Sequence, residues 1–197
     1  MKIEQVQKIL YTVSNQIIYI MNKNNTKKLY KTNKEQRREV MYKKLMTCLE
    51  SVQKKIDFKP EVALILGSGL GDFADGIKIE QTIDYTDIEG FPVSTVKGHK
   101  GRFVFGYVEE TPVVIMQGRV HYYEGYDMTD VVLPTRLMGM MGAKKILLTN
   151  AAGGCNPNYK PGDFMMITDH ITTGIPSPLI GPNVDELGTR FPDMSEV

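Results

Sequence analysis

From residue 41 onward the chain alternates short apolar stretches with glycine-bounded polar clusters, and the spacing inside each stretch predicts its element. Tyr42, Leu45, Met46, Leu49, Val52 and Ile56 recur at three- and four-residue steps, which places them on one helical face with Lys43, Lys44, Lys54 and Lys55 off it. Pro60 stops that helix. Glu61-Val62-Ala63-Leu64-Ile65-Leu66 is a continuous apolar run of the kind buried between parallel neighbours. Residues 80–98 lack a clear period and read as irregular, punctuated by Phe91-Pro92 and Lys97-Gly98. Two strands at 103–108 and 113–116 flank Glu109-Glu110-Thr111-Pro112 and read as a hairpin. A helix capped by Thr129 or Asp130 turns Leu133, Leu137, Met140 and Met141 inward, takes Pro134 near its first turn and closes at Gly142. Residues 145–149 are expected as a further buried strand and residues 163–168 as another. From Thr172 the chain reads as loop.

Residues 1–40 follow a different pattern. Residues 22–34 are rich in lysine and asparagine, which favours disorder, while residues 3–20 hold enough Ile, Leu and Val for a short amphipathic helix. The expected division is an extension, 1–40, and a domain, 41–197. Within that domain strand, helix and strand repeat, so the class is α/β with a mixed central β-sheet flanked by helices.

Charge sharpens the division. Residues 1–60 carry 14 Lys/Arg against 5 Asp/Glu, and residues 61–197 carry 10 against 18. A basic head could be a nucleic-acid arm, but no interleaving of aromatic and basic residues marks a stacking groove, so a solvated helix with a polar tail is the preferred reading and no nucleic-acid partner is expected. Cys48 and Cys155 stand far apart, as in a reducing compartment, and His99, His121 and His170 lack metal-ligand spacing, so no metal is expected. The apolar run at 17–21 is too short to span a bilayer. A cytoplasmic protein without a membrane partner is expected.

The candidate chemistry sits where strands run out. Gly67-Ser68-Gly69-Leu70-Gly71 follows the first strand, and glycines there let backbone N–H groups converge on an anion. Position 72 is Asp72, so the dinucleotide pattern G-x-G-x-x-G fails, and no Gly-Lys-Ser/Thr follows to make a P-loop. A phosphate-sized anion or a plain tight turn are the two readings left. Gly98-His99-Lys100-Gly101-Arg102 is a second polar cluster, and Asn150-Ala151-Ala152-Gly153-Gly154 lets a ligand come close to the backbone. The richest cluster is Met116-Gln117-Gly118-Arg119-Val120-His121-Tyr122-Tyr123-Glu124-Gly125. Arg119 offers a rigid fork of donors to phosphate or carboxylate, His121 exchanges protons near neutral pH, and Glu124 is near enough in sequence to orient it. Four small or polar clusters, each at the same stage of its strand unit, favour a ligand site over coincidence.

Taken in order, these segments resemble the trimeric purine nucleoside phosphorylases, together with Asp169-His170-Ile171, Gly181-Pro182-Asn183 and Arg190-Phe191-Pro192-Asp193-Met194-Ser195. The resemblance runs from about Met41 to Val197, while nothing in 1–40 has a counterpart. It implies phosphorolysis: inorganic phosphate attacks C1′ of a purine (deoxy)ribonucleoside and releases free base and pentose 1-phosphate, as in purine salvage. It further implies that Ser68, His99, Arg119, Val120, His121 and Ala151 bind phosphate, with Arg119 and His121 catalytic. Tyr123 would contact the ribose, and Glu124 would support His121. No cofactor is implied, phosphate being a co-substrate, and the assembly implied is a homotrimer. The methylthioadenosine phosphorylases share the fold but carry valine in place of the second alanine of Asn150-Ala151-Ala152-Gly153. A non-catalytic phosphate-binding fragment is the other alternative. Such proteins continue beyond the position of Val197 with the residues that read the purine, so the fold is expected to be C-terminally incomplete, with a bare sheet edge and no activity of its own.

Overall fold

The computed structural model describes residues 23–94 and 100–193, with side chains from residue 36 onward. The described residues open with helix α1 (Lys23–Gln53) and continue through strand β1 (Val62–Leu66), strand β2 (Lys78–Asp84) and the hairpin of β3 (Arg102–Val108) and β4 (Thr111–Gln117). Two short helices, α2 (Met128–Val131) and α3 (Leu133–Met140), then lead to strand β5 (Lys145–Leu148). The five strands form one sheet in the order β2-β3-β4-β1-β5. β1 runs parallel to both β4 and β5, while β2, β3 and β4 pair antiparallel. The expected mixed α/β sheet is therefore present.

The apolar spacing explains which faces are covered. Leu45, Cys48, Leu49 and Val52 of α1 are buried together with Leu133, Leu137, Met138 and Met141 from around α3. Both helices close over one face of the sheet, where Ala63, Ile65, Phe103, Phe105, Val114 and Met116 point. On the other face Leu64, Leu66, Val104, Val113 and Ile115 form a smaller cluster. That both sides of β1, β3 and β4 are buried matches their unbroken apolar runs. At Gly106 an added Cβ would run into the Lys78 carbonyl, so β2 packs close because that position has no side chain.

Four expectations need correction. The region read as irregular contains most of β2, whose residues are mostly exposed. Its apolar signal reduces to Ile79 and Ile83, too few to stand out, and its backbone hydrogen bonds come from pairing with β3. Residues 23–34, read as favouring disorder, are helical, because helix α1 is described from Lys23 and continues without a break to Gln53. Lys, Arg, Gln and Glu continue a nucleated helix readily without an apolar stripe. β5 forms but is exposed throughout, because it is the sheet edge and nothing among the described residues covers it. Residues 163–168 form no strand, since no described segment pairs with them. The amphipathic helix expected at 3–20 lies outside the described residues.

The predicted second helix is split: Asp127, in extended conformation, precedes α2, and Pro134 falls in the first turn of α3. Gly142, at φ 121°, ends the turn that follows. Helix α1 also reaches the C-terminal stretch, where Arg38 forks onto Glu186 at 3.0 and 3.1 Å. Among the described residues no helix is long and apolar enough to cross a membrane.

Candidate functional site

The carboxyl ends of β1, β4 and β5 lie side by side, and the sequence clusters at Ser68, Arg119 and Ala151 follow those three ends. Neighbouring parallel strands with connections to opposite sides open a crevice of the type in which α/β folds hold ligands. The stitching between the strand ends is specific. Gly67 N–H donates to Thr149 Oγ1 at 2.8 Å, and Thr149 in turn donates through Oγ1 (3.1 Å) and N–H (3.0 Å) to the Ile65 carbonyl. A Cβ on Gly67 would stand 2.5 Å from the Thr149 oxygen and 2.7 Å from Asn150 Cα, so this approach requires glycine.

Beyond Gly67 the chain turns back, Leu70 N–H bonding the Gly67 carbonyl at 3.2 Å with Gly69 at φ 85°. The turn walls a cavity of about 250 Å³ whose other lining includes Asp72, Lys100, Gln117 and Gly118. Ser68 lines this cavity and is exposed to it. Lys100 is the cation on its wall.

Arg119 leaves β4 past Gly118, which has φ 95°. The buried Tyr85 hydroxyl fixes that bend by donating to the Gly118 carbonyl at 2.6 Å, and burial holds the phenol well above its ordinary pKa, so it stays a donor. Arg119 Nη1 donates to the Thr149 carbonyl at 2.9 Å, which sets the guanidinium beside both the Gly67 turn and the Asn150–Ala151 step. Its Nε lies 3.4 Å from His121 Nε2. On the other side of that ring, Nδ1 is 2.8 Å from Glu124 Oε1, which also accepts from the His121 N–H at 2.8 Å. Together these contacts suit the imidazole tautomer with its proton on Nδ1. Glu124 is almost fully enclosed and Ser94 Oγ donates to its second oxygen at 3.3 Å. Tyr123 stacks on the His121 ring at 4.7 Å and is itself 75% exposed.

The expected residues thus fall into two linked groups. Ser68 lies on the cavity, while Arg119, His121, Glu124 and Tyr123 form a connected row beside it, joined to Ala151 through Thr149. The Val120 side chain is buried, so only its backbone is available to a ligand. His99 lies outside the described residues. Sequence reasoning gave no role to Gln117, Thr149 or Tyr85, although a polar residue closing an apolar strand just before glycine, as Gln117 does, is a visible signal.

The model of a family described as the phosphorylase superfamily matches residues 61–197, which include every one of these strand ends. The chain belongs to the phosphorylase superfamily. Among superfamily members, purine nucleoside phosphorylase 1 of Geobacillus stearothermophilus is 52% identical over 145 residues, covering 74% of this chain and 53% of that protein. The purine nucleoside phosphorylase of Mus musculus is 44% identical, covering 80% and 56%. A crystal structure of the Schistosoma mansoni purine nucleoside phosphorylase with acetate superposes with a TM-score of 0.70 at 44% identity, covering 78% of this chain and 57% of that one. A purine nucleoside phosphorylase solved in complex with ribose-1-phosphate gives the same TM-score at 45% identity, covering 77% and 57%. The resemblance read in the motifs is borne out. The chain spans about half the length of the curated relatives it matches.

Proposed function

We propose that the protein is a purine nucleoside phosphorylase in which the described residues form the phosphate side of the site. The observation that carries this reading is the Arg119–Thr149 hydrogen bond, which ties the cation that follows β4 to the end of β5, where Thr149 also holds Gly67. Ser68 and the backbone at Val120 and Ala151 supply neutral donors, Arg119 a charged fork, and His121 a further ring nitrogen. His99 belongs to the same proposal by its place in the sequence motif. Tyr123, exposed and stacked on His121, is positioned to meet the sugar.

The chemistry follows from charge. The bond between C1′ and the purine nitrogen breaks with its electron pair leaving on the base, which takes up a proton, and the sugar becomes cation-like. A dianion held beneath C1′ stabilises that charge, and one of its oxygens then forms the new bond to C1′. Fixing the dianion beforehand turns an encounter into a step within one complex. No group beyond inorganic phosphate is needed. Homotrimeric assembly and a cytoplasmic setting are part of the same proposal, supported by the motif resemblance.

The test is phosphate titration of the full chain by calorimetry. A charge-assisted hydrogen bond contributes about 1.5–3 kcal/mol, so Arg119→Ala is expected to weaken phosphate binding by about 10–150-fold. An unchanged affinity in that variant would remove Arg119 from the site.

A further inference from the structure

Gln117 is a buried polar residue, 2% exposed at the end of an otherwise apolar strand. Burying a primary amide in such a place is costly unless its donors and acceptor are used. Both ends are used here. Nε2 donates to the Gly71 carbonyl at 2.6 Å, and Oε1 accepts from Arg102 Nε at 2.7 Å. Arg102 passes the connection on, Nη2 reaching Asp75 Oδ1 at 2.9 Å, while Lys100 Nζ reaches Asp75 Oδ2 at 2.6 Å. Gly71 and Asp75 are the first and last residues of one 3-10 turn. The network therefore grips both ends of the segment that closes the glycine-rich loop.

We infer that Gln117 is the positioning residue of the anion-binding turn, holding Gly67–Gly71 in the conformation that receives phosphate while Arg102 fixes which way its amide faces. This rests on the proposal that the cavity beside Ser68 takes phosphate. The turn has few anchors besides. Ser68 and Gly69 are exposed, and Gly69 and Gly71 have open space where a side chain would stand. A loop of this composition is free to adopt many conformations, and its donors converge only when its far end is held. Arg102 does not line the cavity, so it acts through Gln117 and Asp75. The hydrogen bond from Lys100 comes first among the influences holding the Asp75 carboxyl below its ordinary pKa, so this anchor stays ionised at neutral pH.

The test is phosphate affinity of the full chain, measured by calorimetry well below each variant's unfolding midpoint. Gln117→Met keeps the volume and removes both hydrogen bonds without changing charge, and Arg102→Lys keeps the charge but cannot bond Gln117 and Asp75 together. Loss of one or two such bonds predicts phosphate binding weaker by about tenfold in Gln117→Met and about threefold in Arg102→Lys. A purely structural glutamine would lower the unfolding midpoint and leave affinity within twofold of wild type, which overturns the inference. If Gln117→Met does not fold, Arg102→Lys decides on the same criterion. Wild-type chain that takes up no phosphate overturns the phosphate reading and this role with it, whereas wild-type binding with unchanged variants overturns the positioning role alone.

Discussion

Single side chains here act mostly by holding others. Glu124 accepts from both the backbone and the ring of His121, so one carboxylate sets where the imidazole sits and which nitrogen faces Arg119. Replacing it with an amide keeps the shape and weakens both bonds. Glu124→Gln is expected to cost about 1 kcal/mol of stability in urea unfolding, and no loss would mean that His121 is held by other means. Tyr85→Phe leaves the half-buried Gly118 carbonyl without this donor and is expected to cost about 0.5–1.5 kcal/mol by the same measurement. Cys48, on the buried face of α1 with its thiol toward the Glu89 carbonyl, has its pKa pushed by burial from 9.0 up to about 11. The unfolded chain loses that proton first, so the stability contributed by the neutral thiol is full below pH 9.0 and is lost as pH rises through about 11. The stability difference between wild type and Cys48→Ala should therefore shrink by about 2 kcal/mol across that window, and a flat difference would contradict the assigned burial.

At the level of elements, the close approach of β1 and β5 is the feature on which the site depends. Gly67→Ala drives a methyl group into the Thr149 backbone, and since backbone cannot step aside as a side chain can, a loss of about 1–3 kcal/mol is expected from urea unfolding. Neutral behaviour would mean the two strand ends are further apart than described. These elements also show what could be read beforehand. β1, β3, β4 and the buried stripe of α1 announced themselves because burial on both faces, or along one helical face, writes directly into apolar spacing. β2 did not, since an exposed edge strand is defined by its partner rather than by its own side chains. The expectation at 163–168 failed for the converse reason: an apolar run has strand potential, but only a neighbour supplies the hydrogen bonds. Strand-end clusters marked where Ser68, Arg119 and Ala151 would fall. Spacing alone could not show that Gln117 and Thr149 join them, because those contacts cross 46 and 82 residues of chain.

Taken whole, the molecule has a well-covered half and a bare half. From β5 onward almost every residue is exposed, with Leu148 at 61%, Phe164 at 91% and Ile171 at 95%. Such a patch, next to a strand with one edge unpaired among the described residues, drives association. The 197-residue chain is expected to sediment as concentration-dependent oligomers or aggregates, and a monodisperse monomer across the accessible range would show that this surface is covered in solution. Helix α1 lies on the covered side and touches this stretch through Arg38 on Glu186. The central claim is that turns distant in sequence meet around one oxyanion, and a crystal structure of the chain grown with phosphate tests it most directly. A phosphate ion within hydrogen-bond reach of Ser68, Arg119 and the Ala151 backbone together is the expected result; an ion bound elsewhere, or three groups too far apart to share one, would contradict the claim.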